Sequence, residues 1–315
     1  MQNLKLCYND FGHPSDVIKI EKENIRTNLK SEEVILEMLE APINPSDLIP
    51  ISGAYKHRID LPKVAGYEGV GKIISAGAKK KDLLGKRVLP LRNQGTWQNL
   101  IKCSTDWFIE VPTHIENSIA SRAYINPLTA KLMLKRWPVY NKVVVVTAAG
   151  SFFSNFMIQW ALKAGANKVI GVYRNPKHIS HISELGAKPI ALNARDELIK
   201  ATVNADVCFD AVGGSLADTI LKNLKSDKTF VSYGLLSGGQ ISYTGPEVSI
   251  EQFHLRNWLQ NTNVAEWNKY FVEMWNLLGE TYIPNVEYFK FQDWRSAIEK
   301  FKISGRTRKP VLQFR

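Results

Sequence analysis

The sequence has little cysteine and no long apolar run. Its three cysteines, Cys7, Cys103 and Cys208, lie far apart and form no C-x-x-C pair. This argues against a disulfide framework and against a four-cysteine structural zinc site. No uncharged stretch approaches the ~18 residues that a membrane-spanning helix needs, and no basic region followed by an apolar run opens the chain. We therefore expect a cytoplasmic protein without membrane association.

Acidic residues are fewer than basic ones, 30 against 41, so the formal net charge is +11. Such a charge attracts nucleotide cofactors, coenzyme A esters, acidic carrier proteins and nucleic acids, and it selects none of them. Only the lysines at 79–81 form a run, so a solvated basic surface is an equally good explanation. With 315 residues, 44% of them hydrophobic, the chain can bury the cores of about two domains.

Two patterns divide the chain. The first part holds short β-rich runs, such as 33–39 and 69–75, separated by turn-forming segments, which is typical of an irregular barrel. From residue 142 on, apolar strands alternate with amphipathic helices, beginning with the β-branched run 143–147. This alternation predicts a parallel sheet. The last stretch, 286–315, returns to strands flanking one helix, so we expect it to rejoin the first domain.

A strand that runs into a turn and then a helix at 143–164 is the candidate cofactor site. Backbone N–H groups and the helix dipole at such a helix start bind a pyrophosphate. The G-x-G-x-x-G fingerprint is missing, because Phe152 and Ser154 stand where glycines normally let the backbone approach the cofactor. An ordinary βα turn therefore stays open as an alternative. The candidate residues are Gly150, Ser151, Phe152, Phe153 and Ser154.

The residues after the second strand favour NADPH over NADH. NAD sites usually carry an acidic residue roughly 20 residues beyond the loop, whereas this chain has Tyr173 and Arg174 there. A guanidinium can bind a 2′-phosphate through two hydrogen bonds, and Lys177 follows within one turn. The structural alternative for Arg174 is a solvated charge at a strand end.

Eight segments spread along nearly the whole chain are specific when taken together, although each alone is weak. They are APINPSDL (41–48), ISGAY (51–55), AGYEGVGKI (65–73), GTW (95–97), NPLTA (126–130), the βαβ unit at 143–186, DAVGG (210–214) and DWRSAIEKF (293–301). Together they resemble the medium-chain dehydrogenase/reductases, in particular the branch of quinone oxidoreductases and mitochondrial-type 2-enoyl thioester reductases. The resemblance implies an α/β fold with a GroES-like β-barrel catalytic domain (1–122 and 280–315). An inserted Rossmann-type domain (123–279) would form a doubly wound parallel sheet.

The expected ligands of a catalytic zinc are largely missing. Zinc-dependent members of the superfamily carry a histidine within G-H-E, a cysteine near the NPSD loop and often a four-cysteine lobe. This chain has Tyr67 and Asp47 at the first two positions and no lobe, whereas a tetrahedral site needs about three protein ligands. The resemblance therefore implies a zinc-free protein. Of the histidines only His178 and His181 are closely spaced, and we expect them on a solvent-facing turn of a helix.

Tyr55 is the catalytic candidate that the resemblance implies. It matches a tyrosine that, in enoyl thioester reductases, assists as hydride from NADPH reaches the β-carbon of the double bond. A phenolic O–H can stabilise the enolate or donate a proton. Without the motif, Tyr55 would be interpreted as a half-buried aromatic residue of a loop.

Further positions match the family's cofactor and substrate contacts. Asn44 and Thr129 correspond to residues that orient the nicotinamide end, although a turn residue and a helix threonine are common uses of these residue types. Trp97 and Trp258 lie in segments that resemble walls of a substrate cleft, with a buried structural tryptophan as the alternative for each. The remaining expected cofactor-binding residues are Tyr233 and Lys309.

The leading interpretation is a zinc-free, NADPH-dependent reductase of an activated C=C bond, in an enoyl thioester or enone, or of a quinone. The sequence does not separate these substrates. A zinc-type alcohol dehydrogenase is one alternative. Another is a non-catalytic relative with a degenerate cofactor site that binds nucleic acid, although no basic stretch interleaved with aromatics supports it. The resemblance also implies a homodimer formed by extending the sheet of the nucleotide-binding domain.

Overall fold

The computed structural model describes residues 1–92, 95–245 and 248–314. The chain divides into two compact units. Unit 1 comprises Met1–Tyr124 and Asn263–Arg315, and unit 2 comprises Ile125–Thr262. Both ends of the chain therefore contribute to unit 1. No helix of the described residues has the length and apolar character needed to cross a membrane.

The strands and helices follow one another as the two sequence patterns predict. The strands are β1 (Gln2–Tyr8), β2 (Ile18–Asn24), β3 (Glu33–Pro42), β4 (Lys63–Val64), β5 (Val70–Ala76), β6 (Arg87–Leu89), β7 (Leu100–Ser104), β8 (Ile109–Glu110), β9 (Val143–Val146), β10 (Lys168–Tyr173), β11 (Lys188–Ala191), β12 (Val207–Asp210), β13 (Thr229–Ser232), β14 (Ser249–Gln252), β15 (Val286–Lys290) and β16 (Lys309–Gln313). The helices are α1 (Pro14–Val17), α2 (Pro45–Ile51), α3 (Asn117–Ala120), α4 (Ile125–Arg136), α5 (Phe152–Lys163), α6 (Ile179–Glu184), α7 (Arg195–Val203), α8 (Gly214–Asn223), α9 (Leu255–Asn261), α10 (Val264–Gly279) and α11 (Trp294–Lys302).

Unit 1 is built from two sheets that are mainly antiparallel. The smaller has the order β2-β1-β4; the larger has the order β15-β16-β3-β5-β6-β8, with β7 also paired to β3. The C-terminal strand β16 lies antiparallel to β3, with Leu312 opposite Ala41. Since both residues have no exposed surface, the last strand of the chain completes the core that the first strands begin.

Unit 2 is a parallel sheet with the order β11-β10-β9-β12-β13-β14. Successive strands move outward from β9 in one direction and from β12 in the other, so the winding reverses between these two strands. This is the order of a doubly wound nucleotide-binding sheet, in which ligands bind at the carboxyl ends of the strands beside the reversal. Residues 144–146 of β9 have no exposed surface, as expected of a central strand covered on both faces. The predicted α/β fold class is confirmed.

Helix α10 belongs to unit 1, whereas the predicted boundary at residue 279 assigns it to the nucleotide-binding domain. Trp267 of this helix is buried, and its indole N–H donates a hydrogen bond to the backbone carbonyl of Trp107 at 3.2 Å. Its ring also meets those of Trp107 and Tyr124 edge-on. These aromatic contacts hold α10 against unit 1. An amphipathic pattern predicts the helix but does not say which core its apolar face covers.

Candidate active site

In unit 1, Asn44 lies at the centre of a buried polar network. It precedes helix α2 and has no exposed surface. Its amide Nδ2 donates to Glu68 Oε1 at 2.7 Å, and its Oδ1 accepts a hydrogen bond from the Lys309 ammonium group. A carboxylate on one side and a cation on the other fix the direction of the amide, since only its nitrogen donates and only its oxygen accepts. The structure thus joins two predicted cofactor-binding residues, Asn44 and Lys309.

Glu68 and Arg122 complete the charge balance around Asn44. Glu68, Lys309 and Arg122 are each less than one-tenth exposed, and buried charges persist in proteins when they are paired. The Arg122 guanidinium also donates to the backbone carbonyls of Ser118 and Pro284, at 2.6 and 2.7 Å. Burial lowers the pKa of Lys309 to about 8, and the neighbouring Glu68 carboxylate opposes that shift. Sequence reasoning missed Glu68 as part of the site, although it stands in the G-Y-E segment that was compared with zinc ligands.

Asp47 holds two backbone segments together. Its carboxylate accepts hydrogen bonds from the backbone N–H of Asn44 at 2.7 Å and of Tyr67 at 2.9 Å. The side chain is buried, and burial raises its pKa to about 7. Asp47, which occupies the position of a zinc ligand in zinc-dependent relatives, therefore connects the start of α2 to the loop at 67. Within the described residues, no group of three or more His, Cys, Asp or Glu side chains could hold a metal ion.

Tyr55 lies on the loop that follows α2 and is 47% exposed. Its backbone is in the left-handed region, with φ +67°, which costs a residue other than glycine roughly 1–2 kcal/mol. The Arg58 guanidinium carbon lies 5.9 Å from the centre of the Tyr55 ring. This loop therefore presents the phenol at the surface of unit 1 in a strained conformation, as often occurs at functional sites.

Of the two tryptophans predicted to line a substrate cleft, Trp97 differs from the prediction. Trp97 has no exposed surface and packs in the core of unit 1 with Leu6 and Trp294. Its indole N–H donates to the backbone carbonyl of Pro42 at 3.3 Å. For Trp97 the cleft assignment is therefore wrong, because its ring and its N–H are both used inside the core. Trp258 is partly buried in α9 of unit 2.

In unit 2, a hydrogen-bonded brace joins the two strands at which the winding reverses. Thr147, directly after β9, donates its hydroxyl to Asp210 Oδ1 at 2.7 Å and accepts from the backbone N–H of Ala211 at 3.0 Å. Asp210 Oδ2 accepts from the backbone N–H of Gly213 at 2.8 Å. Thr147 and Asp210 are fully buried. The brace fixes the carboxyl ends of β9 and β12 next to the start of α5.

The turn between β9 and α5 is held by its own serines. Ser151 caps α5 by accepting a hydrogen bond from the backbone N–H of Ser154 at 3.1 Å. The Ser154 hydroxyl donates back to the carbonyl of Ala148 at 3.0 Å, and Ser154 has no exposed surface. A buried serine that bonds the turn internally therefore replaces the fingerprint glycine. Ala148 itself has a left-handed backbone, with φ +49°.

Aromatic packing surrounds the same turn. The rings of Phe153 and Tyr233 pack against each other at a tilt of 38°, with their centres 4.4 Å apart, while Phe152, the first residue of α5, is partly buried. Burial raises the pKa of Tyr233 well above its ordinary value. Two residues predicted separately as cofactor-binding, Phe153 and Tyr233, are thus brought into contact. Thr129 is buried inside helix α4.

The segment after β10 carries Arg174 and two histidines, and one of the histidines differs from the prediction. Arg174 is exposed directly after Tyr173, the last residue of β10. His178, which we expected on a solvent-facing turn, is buried. The expectation is wrong because a 3-10 turn over Pro176–His178 precedes α6 and directs this side chain inward. His181 is partly buried, with its Nε2 3.2 Å from Asn155 Oδ1 of α5.

Comparisons with known proteins agree with both units. Residues 30–113 match the family model of the alcohol dehydrogenase GroES-like domain, and residues 154–276 match the family model described as zinc-binding dehydrogenase. The chain is 33% identical to a candidate NADPH:quinone reductase from Bacillus thuringiensis, whose structure gives a TM-score of 0.92 with all of both chains covered.

Two further relatives are enoyl reductases. The chain is 29% identical over 326 residues to the mitochondrial enoyl-[acyl-carrier-protein] reductase of Dictyostelium discoideum, covering 96% of this chain and 92% of that one. The complex of Etr1p with NADP and crotonyl-CoA has the same fold, with a TM-score of 0.85 at 21% identity and all of both chains covered. Etr1p is a mitochondrial 2-enoyl thioester reductase subunit from Candida tropicalis.

Proposed function

We propose that this chain, which belongs to the medium-chain dehydrogenase/reductase superfamily, reduces an activated carbon–carbon double bond or a quinone with hydride from NADPH. The observation that carries the proposal is the full-length similarity both to a candidate NADPH:quinone reductase and to an enoyl-[acyl-carrier-protein] reductase. Unit 1 would supply the catalytic groups and unit 2 would bind the nucleotide.

The residues of unit 2 fit a nicotinamide dinucleotide. The start of α5 lies at the carboxyl end of β9, beside the reversal of the sheet, where backbone N–H groups of a first helical turn can bind a pyrophosphate. The exposed Arg174 would bind the 2′-phosphate. When bound, the dinucleotide supplies the hydride. By the family resemblance we assign Asn44 and Thr129 to its nicotinamide end, and Tyr233 and Lys309 as further cofactor-binding residues.

The proposed chemistry adds a hydride to the β-carbon and a proton to the α-carbon of an unsaturated thioester. Negative charge develops on the thioester oxygen, and the Tyr55 hydroxyl would donate a hydrogen bond to it or transfer its proton. The Asn44 amide, fixed between Glu68 and Lys309, would orient the reacting groups. Such fixed dipoles lower the barrier because they need no reorganisation during the reaction.

The proposed reaction needs no zinc. Asp47 already accepts two backbone hydrogen bonds, and Tyr67 offers no imidazole at the position of the family's histidine. A metal at this place would have to compete with the bonds that fasten α2 to the loop at 67. Activity should therefore survive treatment with a chelator.

A turnover screen tests the proposed function. NADPH oxidation would be followed with a crotonyl thioester, an enone and a quinone, each with and without a chelator; NADP reduction by primary and secondary alcohols would serve as the comparison. We expect oxidation with at least one acceptor, at a rate that the chelator does not change. Zinc-dependent alcohol oxidation, with none of the acceptors reduced, would contradict the proposal.

We also propose that the protein is a homodimer that extends the unit 2 sheet. Strand β14 ends the order of that sheet, and pairing two copies along it would cover an edge that otherwise invites non-specific association. Analytical ultracentrifugation of the purified protein tests whether it is a dimer.

The cytoplasmic location stays a prediction, since the Dictyostelium discoideum relative is a mitochondrial protein.

A further inference from the structure

Two histidines three residues apart connect the segment after β10 to its neighbours, His178 to the turn between β9 and α5 and His181 to α5 itself. His178 is 9% exposed, and its ring lies against Gly150 in that turn. His181 lies beside α5, with its Nε2 3.2 Å from Oδ1 of Asn155. Both contacts lie within unit 2, and neither belongs to the serine bonds that hold the turn from within.

The His178 ring occupies the space that a side chain at position 150 would need. A Cβ atom added to Gly150 would lie 2.3 Å from Cδ2 and 2.4 Å from Cγ of His178, and the three nearest atoms all belong to this imidazole. Carbon atoms pack at about 3.5–4.0 Å. The φ of Gly150 is not positive, so its backbone conformation does not require glycine. The neighbouring ring does.

We infer that His178 is a positioning residue for the cofactor. By packing on Gly150, its ring fixes the position of the turn between β9 and α5. The inference rests on the proposed function, in which this turn binds the pyrophosphate of NADPH. In a fingerprint loop, one glycine forms the tight turn, a second lets the backbone approach the pyrophosphate and a third lets the helix pack closely on the strand. Here Ser154 replaces one of them and bonds the inner side of the turn to Ala148, while His178 holds the side at Gly150.

Another explanation of Gly150 makes the opposite prediction. If position 150 must be glycine so that the pyrophosphate can approach the backbone, an added methyl group blocks the cofactor whatever residue stands at 178. If His178 imposes the glycine, removing its ring makes room for that methyl group. A double variant therefore separates the two explanations.

The experiment is a double-mutant cycle on the full-length protein, with Gly150→Ala, His178→Ala and the combined variant. NADPH affinity would be measured by fluorescence titration and the melting temperature by calorimetry. We expect Gly150→Ala to weaken NADPH binding about tenfold or more, because the added methyl group overpacks the contact and displaces the turn that would bind the pyrophosphate. The combined variant should bind NADPH as well as His178→Ala alone does. Gly150→Ala combined with His181→Ala is the matched control, and it should show no rescue.

The two readouts separate the possible failures. If the melting temperature is rescued in the combined variant while NADPH affinity stays as low as in Gly150→Ala, the contact is only structural and the inference is overturned, with the proposed function intact. Rescue by His181→Ala as well would also overturn it, because the effect would not be specific to the ring that touches Gly150. If the wild-type protein binds no NADPH, the proposed function itself fails and the inference falls with it.

Discussion

The candidate residues of the two units depend on different kinds of interaction. In unit 1 they are buried polar side chains that bond to one another, as Asn44 does to Glu68 and Lys309. In unit 2 they form a backbone turn that its own serines hold and against which aromatic rings pack, with Phe153 against Tyr233. Removing one charge in unit 1 leaves its buried partners uncompensated. We therefore expect substitutions in unit 1 to change stability and turnover, and substitutions around the turn to change mainly cofactor affinity.

The largest effect should follow from Lys309→Met, which removes the buried ammonium group and keeps most of the volume. Glu68 then keeps only Arg122 as a neighbouring cation, and the Asn44 Oδ1 loses its buried donor, so we expect a loss of about 3–5 kcal/mol in the free energy of unfolding, measured by urea denaturation. Lys300→Met is the control: Lys300 pairs with Glu287 on the surface of the same unit, where such a pair contributes about 0–1 kcal/mol. Equal losses in the two variants would show that the network around Asn44 contributes no more to the free energy of unfolding than a surface ion pair does.

Tyr55→Phe should separate chemistry from cofactor binding. The change removes one O–H and keeps the ring, so turnover with an enoyl thioester should fall roughly 10²-fold, the usual contribution of one acid or oxyanion donor. NADPH affinity should stay within about twofold, since we propose that unit 2 makes most of the cofactor contacts. A quinone should be affected less, because water can protonate its oxygens. Wild-type rates with every accepted substrate would assign Tyr55 a structural role.

Arg174→Ala tests the unit 2 side of the comparison. The guanidinium is exposed after β10, and a hydrogen bond to a charged group contributes about 1.5–3 kcal/mol. NADPH affinity should therefore fall at least about tenfold, whereas NADH affinity and the melting temperature should hardly change. Lys188→Ala, on the neighbouring strand β11, controls for general loss of positive charge. A parallel fall for NADPH and NADH would mean that Arg174 does not recognise the 2′-phosphate.

The smallest effect concerns the strained turn. Ala148 has φ +49°, which glycine adopts without penalty, so Ala148→Gly should raise the unfolding free energy by up to about 1 kcal/mol. Ala164→Gly, at the end of α5 with φ −79°, should lower it by about 0.5–1 kcal/mol. We expect Ala148→Gly to weaken NADPH binding although it stabilises the fold, because a glycine makes the turn less rigid. In unit 1, by contrast, stability and function should fall together. Losses of stability in both variants would show that Ala148 is not strained.

Local features were predictable from the sequence. The glycines after α5 and α6, Gly165 and Gly186, have left-handed backbones with φ +82° and +90°, as their positions at helix ends predict. Asn175 accepts a hydrogen bond from the backbone N–H of Lys177 at 3.1 Å, as a helix-start residue should. These features were predictable because a few neighbouring residues determine them.

Features that depend on distant residues were not predictable. Lys309 bonds to Asn44 across 265 positions, and no local pattern predicts that Glu68 accepts from Asn44 and opposes the charge of Lys309. The inward direction of His178 depends on a 3-10 turn that the sequence pattern does not distinguish from an α-helix. The burial of Trp97 depends on strands from both chain ends. Tertiary packing decides all of these, while periodicity reports only that a helix or strand has an apolar face.

The most direct test of the account is a calorimetric titration of the wild-type protein with NADPH and with NADH in the presence of a chelator. We predict that one NADPH binds per chain and that NADH binds at least about tenfold more weakly, the difference expected for a guanidinium bound to the 2′-phosphate. Binding of neither dinucleotide, or equal affinity for both, would contradict it.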